Sequence, residues 1–142
     1  MAVKQLSVVL PNVPGALAKL SGLIESEGIY PKAVINASIA ENSVVRIVVN
    51  DPDRAIAILD LYKYEYEIND VLAVEVPIHP GGVNAILKPL AMAGINILYL
   101  YTTINRQGRE TILVLGVDKL EEAVEVLTRN WVTLVGEELY SL

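Results

Sequence analysis

The sequence predicts an α+β chain in which one strand–helix–strand–strand–helix–strand unit is written twice, with antiparallel sheets. Three observations predict it. Leu10-Pro11-Asn12-Val13-Pro14-Gly15-Ala16-Leu17 has a counterpart in Val76-Pro77-Ile78-His79-Pro80-Gly81-Gly82-Val83. At the same offset Leu6-Ser7-Val8-Val9 recurs as Leu72-Ala73-Val74-Glu75, and Gly28-Ile29 as Gly94-Ile95. Almost nothing separates the end of the first unit from the start of the second, so the two sheets are expected to be close. A repeat at a fixed period sets the fold before any single residue does.

The first strand, about residues 4–10, alternates Leu6, Val8 and Leu10 with polar neighbours. Pro14 suits a first helical turn, where its missing N–H costs nothing. Leu17, Leu20 and Ile24 recur at helical spacing until Gly28 ends the helix. Residues 33–39 and 44–49 are β-branched runs around Glu41-Asn42-Ser43, which predicts a hairpin. Asp51 caps the next helix and Pro52 takes its first position; Ala55, Ile58, Leu59 and Tyr62 form its apolar face. A short strand at about 64–68 closes the unit.

The second unit repeats this order. Its strands are expected at about 71–77, 97–105, 110–116 and 132–135, and its first helix from about Gly81 to Ala93. Asp118 with Glu121 reads as a capping box for the second helix. The hairpin turn Asn105-Arg106-Gln107-Gly108-Arg109 is longer than its counterpart, with both arginines solvated. Pro89 falls inside the first helix, where it withholds a hydrogen bond from the carbonyl of Ala85. A kink tolerated by packing is the expectation, with a bend that shapes a pocket as the alternative. The units are expected at residues 1–69 and 70–142.

Composition bounds the function. Of 142 residues 53% are hydrophobic and 20% charged, which leaves apolar surface for contact between units or chains. Val8-Val9, Val48-Val49 and Ile112-Leu113-Val114-Leu115 place apolar residues on both sheet faces. With helices on one face only, the bare face predicts a homodimer or larger homo-oligomer. The net charge of −6, without a basic cluster, argues against nucleic acid and anionic membranes. No apolar run approaches the roughly 18 residues of a membrane span. The first residues enter a strand directly, so no signal peptide is expected and the cytoplasm is the expected location. There is no cysteine and one histidine. No histidine–carboxylate, serine–base or phosphate-loop constellation is present, so neither an enzyme nor a cofactor is expected.

The doubled order, with Asn12-Val13-Pro14-Gly15-Ala16-Leu17, Pro80-Gly81-Gly82-Val83 and Gly94-Ile95-Asn96-Ile97, resembles the ACT domain, a small regulatory module of amino-acid metabolism. The resemblance covers essentially the whole chain and is strongest to stand-alone tandem-ACT proteins. It implies two ferredoxin-like βαββαβ units packed as an internal pseudo-dimer. It also implies a non-catalytic amino-acid-binding regulator, with any regulated enzyme partner unidentified.

A helix N-terminus has unpaired N–H groups and a partial positive charge, so it can receive a carboxylate. Gly15, Gly81 and Gly82 let a ligand approach the backbone. From the residues alone, a tight turn remains the other reading. In the resembling family the ligand lies between units, where this loop of one meets the second strand of the other. That implies two unequal sites. One combines Asn12, Val13, the Gly15 backbone and Ala16 with Asn96, and is favoured for its two asparagines. The other combines His79, Gly81 and Gly82 with Tyr30. A single histidine without fitting carboxylates makes no metal site. Tyr99 and Tyr101 read as core or interface, and Glu121, Glu122 and Glu125 as a solvated face. The alternative to a sensor is an oligomerisation or protein-interaction module with no working ligand site.

Overall fold

The computed structural model describes residues 2–104 and 110–142. The elements run β1 (Val3–Pro11), α1 (Ala16–Ser26), β2 (Pro31–Ile39), β3 (Asn42–Val49), α2 (Pro52–Leu61) and β4 (Glu65–Glu75). They continue with α3 (Asn84–Met92), β5 (Ile97–Thr102), β6 (Ile112–Val117), α4 (Leu120–Arg129), β7 (Leu134–Val135) and a 3-10 segment over Glu137–Ser141. The doubled order is the one the sequence predicts, with one difference. The strands expected at 64–68 and 71–77 are a single strand, β4. No glycine or proline interrupts Ile68-Asn69-Asp70-Val71, so nothing breaks the extended chain. The boundary expected between residues 69 and 70 therefore lies within β4.

This shared strand organises the molecule. Its first half pairs with β1, from Val9↔Glu65 to Val3↔Val71. Its second half pairs with β6, from Leu72↔Leu115 to Glu75↔Ile112, and with β7 at Ala73↔Val135 and Val74↔Leu134. The sheet order is β2-β3-β1-β4-β6-β5, with every pair antiparallel. The two end strands then meet. Ala33 and Thr103 form an antiparallel bridge, and the Ile104 N–H donates to the Lys32 carbonyl at 2.7 Å. The sheet is thus a ring tied shut at one seam.

Strand alternation sorts the side chains into three cores. Outward residues Leu6, Val8, Val45 and Ile47 pack under α1 and α2 with Leu20, Ile24 and Leu59. Leu72, Val74, Leu113 and Leu115 pack under α3 and α4 with Ile86, Leu90 and Leu127. Inward residues of both units share the third core: Val3, Ala33, Val48 and Val71 meet Tyr101, Ile112, Val114 and Val135, and Leu139 of the 3-10 segment fills it. Val48, Ile112 and Val114, part of the case for a homo-oligomer, are covered here by the other unit of the same chain. The sheet face without helices is not bare.

A polar cluster crosses the same interior. Gln5 is fully buried. Its Nε2 donates to the Tyr99 hydroxyl at 2.8 Å and to Asn69 Oδ1 at 3.3 Å, and the Tyr101 hydroxyl donates to its Oε1 at 2.6 Å. Ser7 Oγ donates to Asn69 Oδ1 at 2.5 Å, and the Arg46 guanidinium lies 4.2 Å from the Tyr99 ring centre. Among the described residues no buried side-chain nitrogen or oxygen lacks a partner. Both tyrosines are interface residues with satisfied hydroxyls, as the sequence predicts.

Local signals fared unequally. Asp51 caps α2, its carboxylate accepting the Arg54 N–H at 3.2 Å, and Pro52 follows. The capping box at Asp118 does not form. Helix α4 starts at Leu120 with Lys119 at the N-cap, one residue too late, and Asp118 instead accepts the Asn96 N–H at 2.9 Å. Helix α3 begins later than expected because residues 79–83 turn first, and it continues through Pro89. The hairpin turn of residues 105–109 lies outside the described residues. Past α4, Trp131 adopts φ 61 and is 93% exposed; past α2, Lys63 takes the same left-handed conformation at φ 59.

Candidate functional site

The first junction is built where β1 runs out. Pro11 ends the strand, and the Asn12 N–H donates to the Glu41 carbonyl at 2.8 Å, tying the loop to the β2–β3 hairpin. The Asn12 side chain is held by the same hairpin: Nδ2 donates to the Ala40 carbonyl at 3.2 Å and Oδ1 accepts from Ser38 at 3.4 Å. The chain turns through Val13 and Pro14. Gly15, at φ 85, occupies the N-cap of α1, a backbone conformation that favours glycine. Having no side chain, it leaves α1 without a side-chain cap. A groove of about 550 Å³ opens here, lined by Val13, Gly15, Ala16 and Lys19. Its far wall is the turn after α2, Tyr62, Lys63 and Tyr64. Sequence reasoning missed that wall and Lys19. The signal was available: antiparallel neighbouring helices put the end of α2 beside the start of α1.

The second junction differs in detail. Gly82 is pinned against its own loop, since a Cβ there would lie 2.1 Å from the Pro77 carbonyl oxygen. Gly81, at φ 88, turns the chain towards α3. His79 is exposed, and its Nδ1 lies 2.8 Å from the Pro80 carbonyl of the same loop. A groove of about 870 Å³ runs from Gly81 and Asn84 past Lys88, Pro89 and Met92, with Arg129 and Asn130 of α4 opposite.

The seam between β2 and β5 relates the two junctions. Because the Ala33–Thr103 bridge is antiparallel, the chain leaves it along β2 towards Ala40, and backwards along β5 towards Asn96. The Asn12–Ala40 corner and Asn96 therefore lie on the same side of the bridge. Tyr30 lies on the other side, as does Ile104; at the second junction the Val76 N–H donates to the Thr111 carbonyl at 2.9 Å. The structure gives no hydrogen bond between Asn12 and Asn96. It gives none between His79 and Tyr30, whose N–H donates to Asn50 at 2.8 Å.

One further residue stands between the units. Lys32 is 7% exposed. Its Nζ lies 3.4 Å from the Tyr30 hydroxyl, 4.8 Å from that ring's centre, and against a main-chain oxygen of Leu142. It is the one charged residue between Gly28 and Glu41, a signal the sequence carried. Among the described residues no group of three histidine, cysteine or acidic side chains could hold a metal ion, and no helix is long and apolar enough to cross a membrane.

A family model described as an ACT domain pair matches residues 1–141. No curated sequence matches. Among solved structures, protein BT0572 from Bacteroides thetaiotaomicron is 29% identical, with a TM-score of 0.91 over 100% of this chain and 98% of that one. The regulatory subunit of aspartate kinase from Thermus thermophilus, in its ligand-free form, shares 16% identity with a TM-score of 0.62, over 89% of this chain and 91% of its own. The Thermus flavus regulatory subunit shares 17%, with a TM-score of 0.60, over 90% and 92%. At those identities the two kinase subunits show a common fold.

Proposed function

The chain belongs to the ACT domain pair family, and from that premise we propose that it is a non-catalytic regulator that binds an amino acid between its units at the Pro-Gly junctions. The observation that carries this reading is the antiparallel seam, with the Asn12 corner and Asn96 on one side of it. The α1 N-terminus supplies uncapped donors for an α-carboxylate, and Lys19 adds positive charge beside it. The Asn12 and Asn96 side chains supply the neutral polar contacts. The second site, which combines His79, Gly81 and Gly82 with Tyr30, has no asparagine and is the weaker.

The test is a thermal-shift screen against the twenty amino acids, followed by calorimetry with the best ligand. Binding stabilises by RT ln(1 + [L]/Kd), so a regulator with Kd between roughly 1 µM and 1 mM responds at ~10 mM ligand. Asn12→Ala and Asn96→Ala are each expected to cost about 1–3 kcal/mol of binding, non-additively, and His79→Ala clearly less. Loss of binding in His79→Ala with Asn12→Ala silent would move the ligand to the other site.

A second reading has its own observation. Ile78, Met92 and Trp131 are each at least 80% exposed in the second unit, and such residues favour an interaction module. It takes over if no amino acid binds. A homo-oligomer rests on the outward residues left exposed along the seam, Val34 of β2 and Leu98 and Leu100 of β5. Light scattering at ~100 µM tests it, and a monomer there would overturn it.

A further inference from the structure

We propose that the inner sheet face of the first unit, at the end nearest the Asn12 corner, binds a small zwitterion, with Arg46 taking its carboxylate and Glu67 its ammonium group. The site lies inside the ring, off the Pro-Gly junctions, and goes beyond the regulator reading.

The first ground is a difference between the two units at one register. In the second unit a row of inward residues crosses the strands as Tyr101, Val114, Ala73 and Val135. All four are buried, and Leu139 packs in the same core. The corresponding row of the first unit is Ile35, Arg46, Ser7 and Glu67. Of these Ser7 is buried, Ile35 and Arg46 are half-buried, and Glu67 is exposed. The path of the chain explains the contrast. After Val135 it turns into the 3-10 segment, whereas after Glu67 it runs straight on along β4. The first unit's row stays open where the second unit's is closed. The next row towards the Asn12 corner, Ala37, Val44 and Val9, is apolar and only partly covered. Two charges beside an apolar strip, at the mouth of a ring of strands, match the usual lining of a ligand site.

The second ground is the state of the two charges. Opposite charges directly across a strand pair satisfy each other. Ser7 stands between Arg46 and Glu67, so they lie two strands apart, ~10 Å at the backbone. The ion pairs among the described residues are Lys4–Asp53 and Arg54–Glu27, so neither Arg46 nor Glu67 is in one. Arg46 is nevertheless held. Its guanidinium lies 4.2 Å from the centre of the Tyr99 ring, and Gln5 fixes that ring through its hydroxyl at 2.8 Å. Stacking sets the plane of the guanidinium and leaves its N–H edge for a carboxylate, which it can bind through two parallel hydrogen bonds. Glu67 then favours a ligand with a positive far end and repels one with a second carboxylate. The separation across Ser7 favours charges set several bonds apart.

The experiment measures binding of γ-aminobutyrate, acetate and succinate by calorimetry and thermal shift, in wild type, Arg46→Met and Glu67→Gln. Wild type is expected to bind γ-aminobutyrate about threefold more tightly than acetate, the scale of an exposed charge pair, and succinate most weakly. Arg46→Met keeps an unbranched chain for the Tyr99 ring, and is expected to lose about tenfold or more in affinity for γ-aminobutyrate and acetate alike. Glu67→Gln is expected to erase the preference for γ-aminobutyrate over acetate and to improve succinate binding. No binding of γ-aminobutyrate to wild type, equal affinity for it and acetate, or binding that survives in Arg46→Met overturns the proposal. If Arg46→Met fails to fold, Glu67→Gln, a change to an exposed side chain, decides alone, and an unchanged preference there overturns it. Binding lost in Asn12→Ala but kept in Arg46→Met would overturn the inner site and leave the regulator reading standing. Binding of γ-aminobutyrate through Arg46, with no amino acid bound through Asn12 and Asn96, would do the reverse.

Discussion

Gly116 is the tightest point of the inner face. Its partner across β5–β6 is Tyr99, and a Cβ on Gly116 would sit 2.2 Å from the Tyr99 ring. Tyr99 cannot swing away freely, because Gln5 bonds its hydroxyl and Arg46 covers its ring. Gly116→Ala is therefore expected to destabilise the protein by about 1–3 kcal/mol of overpacking, measured by urea unfolding. The neighbouring Tyr101 carries a pH dependence. Burial, with Tyr99 adding to it and Arg46 opposing, pushes its hydroxyl above the ordinary tyrosine value of 10.0. The folded state thus holds that proton more tightly than the unfolded state. Stability from this group is whole below pH ~10 and declines as the pH rises beyond it. Tyr101→Phe is expected to be less stable at neutral pH, because Gln5 loses a partner, yet to lose less stability above pH ~10 than wild type does. Denaturant titrations at several alkaline pH values check both signs. Little at this scale was legible in the sequence. That Tyr99 and Tyr101 belonged to an interface followed from their alternation with Leu98 and Leu100. That Lys32 is buried did not, because what covers it comes from 110 positions further along the chain.

The elements were far more legible, because period and punctuation are local. Asp51-Pro52 starts α2 and Gly28 follows α1, as cap and terminator chemistry require. The failures share a cause: they lie where a local signal is neutral about tertiary use. Asp118 has the right spacing for a cap, but serves better as an acceptor for Asn96. Two short strands and one long strand read alike until pairing is known. The junction loops were legible as helix starts, while their second walls, Tyr62–Tyr64 and Arg129–Asn130, come from elements distant in sequence. The shared strand makes a sharp prediction. Along β4, Tyr66, Leu72 and Val74 face the helix layers, and Val71 and Ala73 face the shared core. One unbroken alternation serves both units. Inserting one residue between Asp70 and Val71 inverts the alternation for one half and is expected to abolish folding. Inserting two restores it and is expected to be tolerated better. Circular dichroism of the two variants separates the cases.

For the whole molecule, the shared strand and shared core leave neither unit complete alone. Residues 1–69 end inside β4 and lack the covering for Val3 and Val48; residues 70–142 expose Tyr101 and Val114. Chemical denaturation of the full chain is expected to be a single cooperative transition, and either half expressed by itself is expected not to fold. Two transitions, or a folded half, would mean that the interior contributes little. Trp131 bears on how that transition is watched. It is the chain's single tryptophan, and its indole already stands in water in the folded protein. Its emission should therefore differ little between the folded and the denatured chain, and a fluorescence melt would look flat while far-ultraviolet circular dichroism falls. The same position makes the indole a quiet reporter of its surroundings. A blue shift on mixing with another protein would signal that the second unit's outer surface had been covered, without a label and without interference from folding.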